Sequence, residues 1–326
     1  MQTKYGTEHL QAHQFAGLAP GPRLIVTGAV HGNEACGTRA IERVLGELVR
    51  GEITITRGLL TLVPVCNPLA YARGQRAGDR NLNRRLRPTL PPLEYEDRIA
   101  NVLCPWLAAH EVLLDLHSFR SPGQPFVLRG PANNSGVLEP FAHEQAEAAM
   151  TAHLGVSRVV EGWMDAYAGG VQRRRERAAM VGQPLDAVSA DPSYGVGTTE
   201  FMRSVGGYGV TLECGQHDDP QAPEVGYQAI RQTLALLGLA ALPLQPPAPR
   251  FECLCLASVI DRHHEGDRFS RPWTSFDKLA QGELIGVRHD GNELRAPAAG
   301  YIVFPDTGAL PGNEWYYLAQ GSDRPL

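Results

Sequence analysis

The sequence predicts an α/β protein, with a largely parallel or mixed sheet covered by helices on both faces and a small all-β domain after it. Three observations carry this expectation. From residue 22 to about 240, short β-rich runs alternate with helical periodicity. Pro243-Leu244-Gln245-Pro246-Pro247-Ala248-Pro249 then has the composition of a linker. Beyond it no long helical pattern appears, and glycine and proline turns separate strand-like runs. The expected division is a first domain over 1–245 and a C-terminal β domain over 250–326.

Each element follows from its local pattern. Leu24 to Val30 is an apolar run that reads as a buried strand. Ile41, Val44, Leu45 and Leu48 fall at i, i+3, i+4 and i+7, one face of an amphipathic helix. Leu59 to Val65 is a second strand, Ile99 to Leu107 lies in a helix, and Glu111 to Leu116 forms a third strand. Phe126-Val127-Leu128 is a short fourth. Ala142 to His153 is helical, Gly209 to Glu213 is a strand, and Gln228 to Leu239 is helical. The small and turn-forming residues of Val188 to Gly197 predict a loop. In the C-terminal part, Phe251 to Ile260, Leu284 to Arg288, Glu293 to Ala296 and Tyr301 to Val303 read as strands.

Composition narrows the function classes. Charged residues are 20% and apolar residues 43% of the 326, ordinary values for a globular protein. The net charge of −5 gives no reason to expect nucleic acid as a partner. Six cysteines without framework spacing read as free thiols in a reducing compartment, and Cys253 and Cys255 as core packing on one side of a strand. Met1 to Leu10 has no apolar stretch of a secretory signal, and Leu234 to Leu244 is too short to span a bilayer. The expectation is a cytoplasmic protein without a membrane partner. A homo-oligomer is left open by the sequence.

The chemistry concentrates at expected strand ends. Gly28-Ala29-Val30-His31-Gly32-Asn33-Glu34 follows the first strand, so His31 and Glu34 stand where the chain turns into a helix. Val112-Leu113-Leu114-Asp115-Leu116-His117-Ser118 ends a second strand on another histidine. A lone core histidine is ordinarily a satisfied structural group, and a carboxylate in a first helical turn suits the helix dipole. Two imidazoles and a carboxylate together suit a zinc site with a position left for water, and so a hydrolase. Asp115 could orient a ligand imidazole. Glu213 closes the strand Gly207 to Glu213, where it reads equally as a general base or a solvated strand-end carboxylate. Arg73, Arg76, Arg80, Arg84, Arg85 and Arg87 form a dense run. Most such residues are solvated surface, yet a guanidinium after Asn83 can clamp a carboxylate. Arg173-Arg174-Arg175 with Arg177 reads as a charged loop or helix face.

Four motifs occur in a diagnostic order: His31-Gly32-Asn33-Glu34, Asn81-Leu82-Asn83-Arg84, Asp115-Leu116-His117-Ser118 and Thr211-Leu212-Glu213-Cys214-Gly215. Over roughly residues 20 to 240 the chain resembles the succinylglutamate desuccinylase/aspartoacylase family, within the wider zinc carboxypeptidase-like group. The resemblance implies one zinc per chain held by His31, Glu34 and His117, with Glu213 as general base. It implies that Arg76 polarises the scissile carbonyl and that Asn83 and Arg84 clamp a substrate carboxylate. In some relatives Arg203 matches a further carboxylate-binding arginine and Tyr316 a tyrosine that borders the cleft. The family motif usually reads Asp-Leu-Asn-Arg, and here Asn81 stands in place of its aspartate.

The implied activity is hydrolysis of the amide of a small N-acyl amino acid or related carboxylate-bearing amine. Two alternatives share these motifs: a metallocarboxypeptidase acting on peptides, and a non-catalytic protein that binds acyl amino acids.

Overall fold

The computed structural model describes residues 4–182 and 190–326. In chain order, β1 (His13–Ala16) and β2 (Ala19–Gly28) lead into α1 (Cys36–Val49). β3 (Arg57–Val63), α2 (Pro68–Arg73) and α3 (Tyr95–Ala108) follow. Next come β4 (Val112–Phe119), β5 (Phe126–Leu128), α4 (Glu144–Ala152), β6 (Arg158–Glu161) and α5 (Trp163–Val181). A 3-10 turn at Pro192–Gly195, α6 (Thr198–Ser204), β7 (Tyr208–Gln216) and α7 (Ala222–Leu236) complete the alternating part. The remainder is all β: β8 (Glu252–Asp261), β9 (Arg268–Phe269), β10 (Lys278–Leu279), β11 (Leu284–Val287), β12 (Glu293–Arg295), β13 (Gly300–Val303) and β14 (Glu314–Gly321). Of the loop expected over Val188 to Gly197, residues 188–189 lie outside the described residues.

The fold is mixed α/β, as expected. One sheet of eleven strands has the order β1-β3-β2-β4-β7-β5-β6-β8-β14-β13-β10, beside a small antiparallel sheet β12-β11-β9. β3, β2, β4 and β7 run parallel, whereas β5 lies antiparallel to β7. The parallel pairing of β6 with β8 carries the sheet on into the C-terminal strands. Residues 241–251, which include the proline-rich run, carry no helix or strand.

Central strands are continuously apolar because both faces are covered. Successive side chains alternate between two cores. Leu24 and Val26 pack with Ile41 and Val44 of α1 and Ile230 of α7. Ile25 packs on the other side with Ile99 and Leu103 of α3 and Met202 of α6. The helical spacing read from Ile41 to Leu48 thus marks the buried face of α1, with Ile41 and Val44 fully covered. Burying a side chain of this size stabilises the fold by roughly 1.5–3 kcal/mol.

β2 ends two residues earlier than the apolar run suggests, at Gly28. Ala29 takes φ of 46°, and the chain leaves the sheet before His31. His31 and Glu34 therefore lie in a turn ahead of α1, joined by a hydrogen bond from the Glu34 amide to the His31 carbonyl. Among the described residues, no helix is long and apolar enough to cross a membrane.

Candidate active site

Parallel strands deliver their C-terminal ends to one rim, and here that rim gathers the motifs. In the β4–β7 register His117 lies opposite Glu213. The turn after β2 reaches the same place because Gly32 has no side chain. A Cβ there would stand 2.0 Å from the carbonyl carbon of Ala70 in α2.

Ligating atoms of His31, Glu34 and His117 all lie within 4.8 Å of one another, and all three residues are buried. Glu34 bridges the two rings: His31 Nδ1 is 2.8 Å from Oε1, and His117 Nδ1 is 2.9 Å from Oε2. The outer ring nitrogens are held as well. His31 Nε2 lies 3.0 Å from Asn81 Oδ1, and His117 Nε2 lies 2.8 Å from Asp115 Oδ2. Asp115 in turn accepts hydrogen bonds from Thr27 and Thr198. These outer partners orient the imidazoles and direct both Nδ1 atoms inward. Asn81, standing where the family has aspartate, keeps the needed acceptor, since its Oδ1 also receives the Asn83 amide at 2.9 Å.

Electrostatics differ between the two imidazoles. Burial, reinforced by nearby Arg76, lowers the His31 pKa to about 4, so its ring is neutral and has a free lone pair. Burial opposes the charge on Glu34, yet His31 and His117 hold its carboxyl well below the usual range. Burial likewise opposes protonation of His117, but Asp115 and Glu34 raise it well above an ordinary histidine. Two imidazoles and a carboxylate, buried and convergent, are a donor set that fits a divalent transition metal with an open coordination position.

These groups line a cavity of about 180 Å³. Glu213 enters it with Oε2 buried and without a hydrogen-bond partner. Burial raises the Glu213 pKa to about 8, against the opposing pull of His117. Arg76, half exposed, donates to Glu34 Oε1 at 3.0 Å. Asn83 accepts the Thr198 amide at 2.9 Å through its oxygen. Arg84 is buried, packs over the Trp163 ring at 4.9 Å and donates to Glu314 at 3.3 Å.

The structure brings His31, Glu34, His117, Glu213, Arg76, Asn83, Arg84 and Arg203 to one cavity. Arg203, however, already spends its donors on Glu147, Glu139 and the Gly209 carbonyl. Tyr316 is not at the cavity; it packs with Trp315, Leu279 and Ile302. The reason is a register shift in β14 between Glu314 and Tyr316. An irregularity of this kind resets the alternation of faces, so Glu314 and Tyr317 line the cavity instead. The Tyr317 hydroxyl is buried without a hydrogen-bond partner.

Other contributors carried little sequence signal. Trp163 and Phe304 reach the cavity from α5 and from the turn after β13. His217 lines it too, with Nδ1 2.9 Å from Ser118 Oγ, and neither periodicity nor motif marked it. The arginine-rich run of α5 is mixed in character: Arg174 is buried in a two-point pair with Asp261 at 2.7 and 2.8 Å.

Comparison with known proteins places these observations. Residues 20–237 match the succinylglutamate desuccinylase/aspartoacylase catalytic domain. No curated protein sequence matches the chain. Among solved structures, the fold is similar to a succinylglutamate desuccinylase/aspartoacylase from Rhodobacter sphaeroides, with TM-score 0.70 and 16% identity over 96% of this chain and 90% of that one. The ectoine utilization protein EutE (DoeB) from Ruegeria pomeroyi, in a product-bound structure, gives 0.66 and 20% over 93% and 86%. A succinylglutamate desuccinylase from Vibrio cholerae gives 0.67 and 17% over 96% and 92%.

Proposed function

The chain belongs to the succinylglutamate desuccinylase/aspartoacylase family, and from that premise we propose that it is a zinc-dependent deacylase. The reaction is hydrolysis of the amide bond of a small N-acyl amino acid or related carboxylate-bearing amide. The observation that carries this reading is a buried, unpartnered carboxylate oxygen of Glu213 in the cavity that His31, Glu34 and His117 line.

His31, Glu34 and His117 would hold the zinc, which supplies Lewis-acid chemistry, easing ionisation of water and polarising a carbonyl. Glu213 takes the proton of the attacking water and returns it to the leaving nitrogen. The Arg76 guanidinium stands beside Glu34, where it can face the carbonyl oxygen as negative charge develops. Asn83 and Arg84 bind the substrate carboxylate, with Trp163 keeping the Arg84 guanidinium plane in place. Kinship with the zinc carboxypeptidase-like group belongs to this reading, as does a cytoplasmic location, which the six free cysteines favour.

The test is free-amine release by zinc-loaded protein across acetyl-, succinyl- and formyl-amino acids, with dipeptides and longer peptides alongside. Turnover of acyl amino acids that disappears in Glu213→Gln, with zinc still bound, is the expected result. Near-full activity in that variant would remove Glu213 as the base, and a preference for peptides would favour a carboxypeptidase.

A further inference from the structure

By the resemblance, Arg203 stands where some family members have a further carboxylate-binding arginine, but in this chain the guanidinium is enclosed. Its side chain is 2% exposed. Nε donates to Glu147 at 3.1 Å, Nη1 to Glu139 at 2.7 Å, and Nη2 to the Gly209 carbonyl at 2.7 Å. Glu200 adds a third carboxylate 3.5 Å from Nη1. The seat is built for it: a Cβ at Gly130 would stand 2.3 Å from Nε, and the Phe141 ring lies 5.4 Å from the guanidinium carbon. Glu147 is itself fixed by the Gly130 and Gly209 amides.

The remaining arginines of the cavity offer little to a second anion. Arg129 donates to Glu161 and to the carbonyls of Arg324 and Pro325. Arg120 stands at the rim, more than half exposed and 3.6 Å from Asp306, where solvent screens its charge. Arg76 faces Glu34, and Arg84 has one carboxylate partner, Glu314 at 3.3 Å, against the three around Arg203, so Arg84 with Asn83 is the pair left for one carboxylate. A second carboxylate entering beside Arg203 would meet Glu200, which also lines the cavity. Like charges at such distance oppose binding rather than assist it.

We propose that Glu139, by occupying Arg203, makes the cavity selective for amine portions that carry one carboxylate rather than two. Glu139 is thus a specificity-determining residue that acts through Arg203. It is the carboxylate to test, because Glu147 and Glu200 also cap backbone amides while Glu139 faces the guanidinium. The inference rests on the deacylase reading for its kinetic test but has a binding test of its own.

The experiment pairs isosteres on the full-length, zinc-loaded protein: N-acetylasparagine against N-acetylaspartate, and N-acetylglutamine against N-acetylglutamate. The wild type is expected to prefer the amides by at least tenfold in kcat/KM. Glu139→Ala is expected to narrow that ratio by at least fivefold, through KM for the dicarboxylates, with Glu139→Gln in between. Equal or better use of the dicarboxylates by the wild type overturns the proposal, and that comparison does not depend on a variant folding. A ratio unchanged in a Glu139→Ala protein of normal melting temperature overturns the role of Glu139. Turnover of no acyl amino acid counts against the deacylase reading, and calorimetry with free asparagine and aspartate then decides this one. Tighter asparagine binding supports it; tighter aspartate binding, or binding of neither, overturns it.

Discussion

Replacing Gly32 by alanine tests whether close backbone approach places the first two metal-ligand candidates. The added Cβ would stand 2.0 Å from the Ala70 carbonyl carbon, 2.2 Å from the Tyr71 amide nitrogen and 2.3 Å from the Ala70 carbonyl oxygen. All three are backbone atoms of α2, so no side-chain rotation relieves the contact. Ordinary contact begins at about 3.4 Å, so the turn and α2 must separate by roughly 1.4 Å. α2 is tied down by Asn67, whose oxygen accepts the Ala70 amide and whose amide group donates to buried Glu96. The turn must therefore move, taking His31 and Glu34 out of line with His117. A misplacement of about 1 Å at a catalytic centre can cost on the order of 100-fold in rate. Overpacking of this kind destabilises by about 1–3 kcal/mol, which for a chain of this size lowers the melting temperature by several degrees. The expected result for Gly32→Ala is weakened zinc binding in competition with a chelator, kcat reduced about 100-fold, and a lower melting temperature. Wild-type zinc affinity together with wild-type kcat would refute the reasoning.

Four further outcomes follow from named contacts. Asn81→Ala removes the acceptor for His31 Nε2 and is expected to weaken zinc binding about 10- to 100-fold, whereas Asn81→Asp retains it; chelator competition separates the two. Zinc at about 100 times its dissociation constant should stabilise the protein by about 2.7 kcal/mol, read as a rise in melting temperature that His117→Ala abolishes. Tyr317→Phe deletes an unpartnered hydroxyl at the cavity. Its melting temperature should stay unchanged while KM rises, and unchanged KM would show that substrate does not use this group. Asp267 lies buried against Arg288 and the amides of His263 and His289. Burial opposes its charge, but Arg288 and those amides hold its carboxyl below the usual value. Because the folded-state value is depressed, the stabilisation is present above about pH 4 and fades as pH falls through the folded-state value. Asp267→Asn should cost about 2–3 kcal/mol at neutral pH and less in acid; an equal cost at pH 7 and pH 3 would refute this.

Much of the fold was legible because apolar spacing reports burial directly. The alternation of Leu24, Ile25 and Val26 between two cores, and the one-sided face of Ile41 to Leu48, are visible without coordinates. Short or polar elements were not. β6 has four residues, and α5 carries so many arginines that its helical face is hidden. Of β14, the sequence singles out only Tyr316, through the family resemblance.

By itself, the amino-acid order determined which side chains could meet at the candidate centre, because parallel strands bring their C-terminal ends to one rim and the motifs sit at those ends. His31, Glu34 and His117 group by their positions at expected strand ends, whereas Glu213 joins them only through the family resemblance. Only the tertiary structure decided what each charged group faces. A register shift in β14 turned Tyr317 to the cavity and Tyr316 away from it. Glu139 and Glu147, more than fifty residues from Arg203 in the chain, took up its guanidinium. Strand-end position is a local property of the chain, whereas register and charge pairing depend on contacts between distant segments, to which neither periodicity nor spacing refers.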